Sequence, residues 1–249
     1  VYVVWRDYRN GGADIYFNYS SDNGSTWLDK NQDRRLDKDT PGAAHSYYPR
    51  ICTDGSGNVY VTWTDYRDTR GDIYFNSSTD NGATWQLNDI RLDTDLAGYA
   101  TSSTSEISCN NDGNIFVTWY DFRNDTGIRD IYLNYSADGG VTWQISDIRL
   151  DDETFIANSF FPKVDCDNKG NAYVIWHDLR NGTRYDVYIM PFVTPEDVPE
   201  FNFIADQTIK EGESCQFNVV AHDAKKRELT TLDYDVRTLP SNMQTNIST

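Results

Sequence analysis

The sequence predicts an all-β fold: β-propeller blades of four antiparallel strands, an incomplete ring of about 3.5 blades, followed by part of a β-sandwich module. Three observations predict it. The octapeptide Ser20–Trp27 returns as Ser78–Trp85 and Ser136–Trp143, so its tryptophan stands at 27, 85 and 143, a period of 58 residues both times. A run rich in β-branched and aromatic residues recurs as Val1–Asp7, Val59–Asp65, Ile115–Asp121 and Ala172–Asp178, the composition of strands. No helical apolar period of useful length interrupts these runs. A unit of this size cannot bury both of its faces alone, so its copies must stack on one another.

Each full unit divides into four strands. The first is short and carries a cysteine, as in Pro49–Cys52. A tight turn follows at Thr53–Asn58, Asn110–Asn114 or Asp167–Asn171, where Gly and Asn supply the positive φ that short hairpins need. The second strand is the recurring run. The third starts at Asp14, Asp72, Asp130 or Asp186, and the fourth runs from the repeated tryptophan into Ile90–Asp93 or Ile148–Asp151. Residues 1–193 hold most of a first blade, two complete blades and three strands of a last one. In that last copy Ile189–Phe192 leads out where the octapeptide should stand. The chain opens inside a repeat, which predicts a segment of a longer precursor. Residues 194–200 form an acidic linker containing proline, and 201–249 alternate like sandwich strands. This tail resembles the opening of immunoglobulin-like or cadherin-like modules of surface proteins.

The chain carries 39 Asp and Glu against 22 Lys and Arg, a formal charge of −17. Nucleic acid and anionic membrane surfaces are repelled by such a charge. No apolar run approaches the ~20 residues needed to cross a bilayer as a helix. Cys52, Cys109 and Cys166 are 57 residues apart, one packing slot filled three times, and Cys215 lies outside the repeats. The expectation is buried free thiols acting as small hydrophobes rather than a disulfide framework or a metal site, because no Cys-x-x-Cys or Cys/His cluster occurs.

The octapeptide has a local logic. The carboxylates of Asp22, Asp80 and Asp138 can accept from the backbone of their own turn, Gly24, Gly82 and Gly140 permit the change in backbone sign, and Trp27, Trp85 and Trp143 can cover the turn. Ser-x-Asp-x-Gly-x-Thr-Trp resembles the Asp-box of sialidase-like (BNR-repeat) propellers, and the resemblance spans nearly all of residues 1–193. It implies that the boxes are folding devices on one rim and that ligand binds at the other, which carries the loops after the second and fourth strands. There the chain repeats Trp-x-Asp-x-Arg, with Arg9, Arg67, Arg123 and Arg180 two residues after Asp7, Asp65, Asp121 and Asp178. Two readings stand for these arginines: forks for an anionic sugar around a funnel, or an Asp–Arg pair tying each loop to its blade.

The resemblance also implies the chemistry to look for. Sialidases use an arginine cluster, an Asp acid/base and a Tyr nucleophile activated by Glu, outside the usual two-carboxylate scheme. Such residues are needed once and should break the repeat. The family's Arg-Ile-Pro signature is absent, and within the blades only Glu106 and Glu153 occur. The aromatic residues of the fourth-to-first loops break the repeat more clearly: Tyr47 and Tyr48 beside His45, Tyr99, Phe155, and Phe160 with Phe161. Their faces suit sugar stacking or packing between blades.

No cofactor is required. Calcium is the one candidate, because Asp29, Asn31, Asp33 and Asp37 follow the spacing of an EF-hand-like loop, with Arg34 in place of the usual Gly and no Glu at the twelfth position. Asn-x-Ser/Thr sequons at Asn18, Asn23, Asn76, Asn124, Asn134, Asn181 and Asn246 are compatible with an exported glycoprotein. The sequence thus predicts an extracellular or cell-surface propeller that binds carbohydrate or an extracellular protein. A sialidase-like glycoside hydrolase and an architectural spacer are its alternatives.

Overall fold

The structure is a computed structural model that describes residues 1–125, 127–151, 157–182 and 184–193, with the short strands Glu200–Phe201 and Ala221–His222. The chain divides into two compact units, Val1–Phe192 and Val193–Thr249. In the second, the two short strands pair antiparallel. The rest of the expected sandwich module lies outside the described residues.

The first unit is four antiparallel sheets. Blade 1 holds β1 (Tyr2–Asp7), β2 (Asp14–Tyr19) and β3 (Arg34–Arg35). Blade 2 runs β4 (Ser46–Thr53), β5 (Val59–Asp65), β6 (Asp72–Ser78) and β7 (Ile90–Arg91). Blade 3 repeats this order as β8 (Ser102–Cys109), β9 (Ile115–Asp125), β10 (Ile128–Ser136) and β11 (Ile148–Arg149). Blade 4 has β12 (Ser159–Cys166), β13 (Asn171–Asp178) and β14 (Asp186–Val193). The all-β propeller architecture is therefore present, with sequence neighbours paired inside each blade and only blade-to-blade packing between them.

The core lies in the joints. Phe17, Val61 and Trp63 share one cluster, Phe75, Val117 and Trp119 the next, and Leu133, Val174 and Trp176 the third, all at most 3% exposed. The octapeptide turns lock these joints. Asp22 Oδ1 accepts from Ser20 Oγ at 2.7 Å and Thr26 N at 2.8 Å, while Thr26 Oγ1 donates to Oδ2 at 2.7 Å. Asp80 and Asp138 make the same bonds. The Thr26 and Thr84 hydroxyls, foremost among these donors, hold Asp22 and Asp80 down to about 2. Trp85 then meets the Phe17 edge at 4.8 Å and Trp143 meets Phe75 at 5.0 Å, while Trp27 is 42% exposed. Gly82 and Gly140 lie flat on those rings at φ of 82° and 83°; a Cβ on Gly140 would fall 2.7 Å from Phe75 Cζ. Blade 4 lacks the box, and Phe192 packs into the joint with blade 3, 6.3 Å from Phe116 and 5.4 Å from Tyr135.

One expectation is corrected. Cys52 and Cys109 form a disulfide with Cα atoms 6.2 Å apart, and only Cys166 is free among the described cysteines. A spacing of one repeat places equivalent residues of the first strands β4 and β8 side by side, within bridging reach. A sulfur pairs once, so the third equivalent thiol, Cys166, is left accepting from Ser108 Oγ at 3.2 Å.

Candidate functional site

The rim away from the octapeptide turns is built from three layers. The outermost is the Trp-x-Asp-x-Arg loop. Asp65 Oδ2 accepts from Trp63 Nε1 at 2.9 Å and pairs with Arg67 at 2.6 Å, and its Oδ1 accepts from Arg67 N at 2.9 Å. Arg67 also pairs with Asp89 at 2.8 Å and lies 4.0 Å over the Tyr74 ring. Arg9 repeats this with Asp7, Asp33 and Tyr16, and Arg123 with Asp121, Asp147 and Tyr132. Arg180 pairs with Asp178 and lies over Tyr188. Each guanidinium face and fork is spent on its own blade, and the Arg9 guanidinium holds Asp7 well below the usual carboxylate range. The geometry is that of a loop tie, and no ligand role is assigned to these four arginines.

The middle layer joins blades. Ser46 Oγ lies 3.0 Å from Asp37 Oδ2 of blade 1 and 3.1 Å from Asp65 Oδ2 of blade 2. Ser102 links Asp93 and Asp121 in the same way at 2.7 and 2.8 Å, and Ser159 links Asp151 and Asp178 at 2.8 and 3.3 Å. A hydroxyl has one proton, so one carboxyl of each pair must supply the other. Asp65 and Asp121 each hold an arginine at 2.6 Å, closer than Arg35 comes to Asp37 (3.1 Å) or Arg91 to Asp93 (3.3 Å), so Asp37 and Asp93 are the members of each pair that favour the proton. Burial pushes Asp37 up to about 7 and raises Asp93 and Asp151, against the opposing pull of Arg35, Arg91 and Arg149.

The four residues of the calcium-like spacing lie in separate hydrogen-bonded settings. Asp29, Asn31, Asp33 and Asp37 do not converge, because each carboxylate has a different local task. Asp29 caps the turn Lys30–Gln32 by accepting from Asn31 N at 2.9 Å. Asp33 takes Asn18 Nδ2 at 2.7 Å and Arg9, while Asp37 takes Ile15 N and Ser46. Carboxylates do gather as Asp14, Asp37 and Asp39, and again as Asp72, Asp93 and Asp95, with oxygens within 4.8 Å of one another. Arg35 sits among the first set and Arg91 among the second. The cation of each cluster is thus its own guanidinium.

The inner layer repeats its backbone but not its side chains. Register shifts fall between Tyr47 and Arg50, Ser103 and Glu106, and Phe160 and Lys163 in the three innermost strands. Tyr48, Thr104 and Phe161 occupy these bulges at φ of 54°, 53° and 49°. Tyr48 and Phe161 project as 47% and 62% exposed rings. Tyr47 is half-buried between His45 at 5.6 Å and Tyr66 at 5.7 Å. Tyr99 is 65% exposed and stands apart from these rings. Phe155 and Glu153 lie outside the described residues. One strand step beyond the bulges, Glu106 Oε1 accepts from Arg50 Nε at 2.9 Å and from Lys163 Nζ.

A second group of rings gathers on the same rim at the joint of blades 3 and 4. Phe160 meets Tyr185 at 5.6 Å, Phe161 meets His177 at 6.0 Å, and Tyr120 meets Phe122 at 5.9 Å. Sequence reading passed over Tyr66, Tyr120, Phe122, His177 and Tyr185 because they stand inside repeated segments. The usable signal was the variable position between the repeated Trp and Asp, which reads Arg6, Thr64, Tyr120 and His177.

No protein-family model and no curated protein matches the chain. Among solved structures it is similar to a PL25 ulvan lyase, a polysaccharide lyase, with TM-score 0.50 and 14% identity over 87% of this chain and 60% of that one. It is also similar to an α-L-arabinanase of Penicillium chrysogenum (0.47, 15%, 74% and 57%) and to the sialidase of Trypanosoma rangeli (0.44, 15%, 72% and 33%). The chain spans less than two thirds of each of these proteins, and at such identity the likeness is one of fold: an antiparallel β-propeller.

Proposed function

We propose that this chain is the glycan-binding propeller segment of an extracellular or cell-surface protein and that its ligand lies on the rim opposite the octapeptide turns. The observation that carries the reading is the pair of aromatic bulges. A left-handed backbone costs a bulky residue about 1–2 kcal/mol, yet Tyr48 and Phe161 adopt it with rings largely in solvent. The bulge itself recurs at Thr104 without a ring, so what Tyr48 and Phe161 add is their exposed aromatic faces, and such faces among hydroxyls and charges suit the apolar face of a sugar ring. The carbohydrate-acting enzymes named above, which share the fold, support the same class of ligand. The Cys52–Cys109 bridge supports an oxidising compartment.

The test is migration in native gels cast with a panel of soluble polysaccharides. Retardation should occur with at least one member of the panel and vanish in the double variant Tyr48→Ala/Phe161→Ala, whose Tm should not fall. Retardation unchanged in that variant would move the ligand face elsewhere. A glycoside hydrolase acting at this rim is the second reading, favoured by Glu106, a lone carboxylate between two cations on the innermost strands. It requires release of reducing ends from the bound polysaccharide that stops in Glu106→Gln.

A further inference from the structure

The arginines of the loop ties, those beside the buried aspartates, and Arg50 each have a carboxylate partner. In a chain with 39 acidic and 22 basic residues that is the expected fate of a guanidinium. Among the described residues Arg6 and Arg129 depart from it, as Arg34, Arg70 and Arg184 also do, and these two are the ones seated on rings of this rim. Neither has a carboxylate partner among the described residues. Arg6 Cζ lies 5.1 Å over Tyr47 and 5.5 Å over Tyr8. Arg129 Cζ lies 4.7 Å over Phe160, 4.8 Å over Phe122 and 5.4 Å over Tyr120. A guanidinium seated on a ring has its face occupied and its orientation held, while its N–H groups point outward in the plane, ready for an acceptor.

The repeat shows that this is no folding device. The position of Arg6 is Thr64, Tyr120 and His177 in the other blades, and that of Arg129 is Ala13, Gly71 and Tyr185. Those blades fold the same way without an arginine there. Both arginines lean on the aromatic residue next to a bulge ring: Tyr47 beside Tyr48, and Phe160 beside Phe161. Arg6 stands at the joint of blades 1 and 2 and Arg129 at the joint of blades 3 and 4. The joint between them carries Thr64, Ser103 and Thr104 at the equivalent positions, with Thr64 and Ser103 buried and within 3.5 Å of each other.

We infer that the ligand of this rim is a polyanionic glycan chain, carrying carboxylate or sulfate groups, which crosses the joint of blades 2 and 3 and places one anionic group on Arg6 and another on Arg129. This rests on the glycan reading above and adds the ligand's charge and length. The net charge of −17 repels a polyanion at long range, so selection must come from these two short-range contacts.

The full chain is titrated with polygalacturonate, dextran sulfate and neutral dextran, and with galacturonate monomer and oligomers. At least one of the two polyanions should bind more tightly than dextran, the preferred one distinguishing carboxylate from sulfate. Affinity should fall about tenfold in Arg6→Gln and in Arg129→Gln, the change brought by losing one charged hydrogen bond. Oligomers should bind more tightly than the monomer to the unaltered chain where the carboxylate is preferred. Dextran bound as tightly as both polyanions, or polyanion binding unchanged in Arg6→Gln/Arg129→Gln, would overturn the inference and leave the glycan reading standing. A monomer that binds as tightly as its oligomers would overturn the spanning geometry. Failure to bind any polysaccharide would overturn both.

Discussion

At the scale of single residues, one motif separates structural from functional arginine. Arg67 stands between Asp65 and Asp89, whose side chains are fully buried, and its ring contact with Tyr74 closes the remaining face. Removing it leaves two buried carboxylates without a counter-charge, so Arg67→Ala should lose about 2–4 kcal/mol of unfolding free energy, read from denaturant midpoints. The discount from the full penalty reflects the solvent that reaches the guanidinium. Arg6→Gln at the exposed rim should leave the midpoint within about 0.5 kcal/mol. A stable Arg67→Ala would return that residue to the list of ligand contacts. The sequons divide in the same way. Asn18, Asn76 and Asn134 are at most 7% exposed, and their amides donate to the carbonyls of Leu28, Gln86 and Gln144. In the folded blade these three have no free amide to modify.

At the scale of elements, the serine-bridged joints make stability depend on pH. Asp37 faces Arg35, Asp14, Ser46 and, through the serine, Asp65. Asp93 faces Arg91, Asp72, Ser102 and, through it, Asp121. In the folded chain both hold a proton that the unfolded chain releases near the ordinary Asp value of about 3.9. A carboxyl whose pKa is raised by folding contributes its stability at low pH and loses it as pH rises toward the folded value. For Asp37 that value is about 7. Tm should therefore decline from about pH 4 to about pH 8 and level off above that, and the decline should flatten in Asp37→Asn, which keeps a donor for the serine. A slope identical in the variant would place the proton elsewhere.

At the scale of the whole molecule, each blade depends on its neighbour, because the core lies in the joints. The Cys52–Cys109 bridge closes a loop of one repeat across such a joint. By loop-closure entropy a bridge of that span stabilises by about 4 kcal/mol. A reductant should lower Tm, and Cys52→Ser should match the reduced protein and no longer respond to reductant. Equal Tm in both states would show that packing alone holds the blades.

Much of the blade plan is legible in the chain because it is written in local terms. The Asp-box turn closes through hydrogen bonds spanning four residues, from Asp22 to Thr26, and the strand runs alternate within seven residues, so periodicity alone determined blade order and turn positions. The tertiary structure decided what depends on residues one repeat apart coming into contact. A shared slot for Cys52 and Cys109 reads equally as packing or as a bridge until β4 and β8 lie side by side. An acidic spacing such as Asp29 to Asp37 does not say which donor each carboxylate meets. Whether an arginine is tied or open depends on the neighbours that folding supplies: Arg67 finds two aspartates, whereas Arg129 finds three rings and no carboxylate among the described residues.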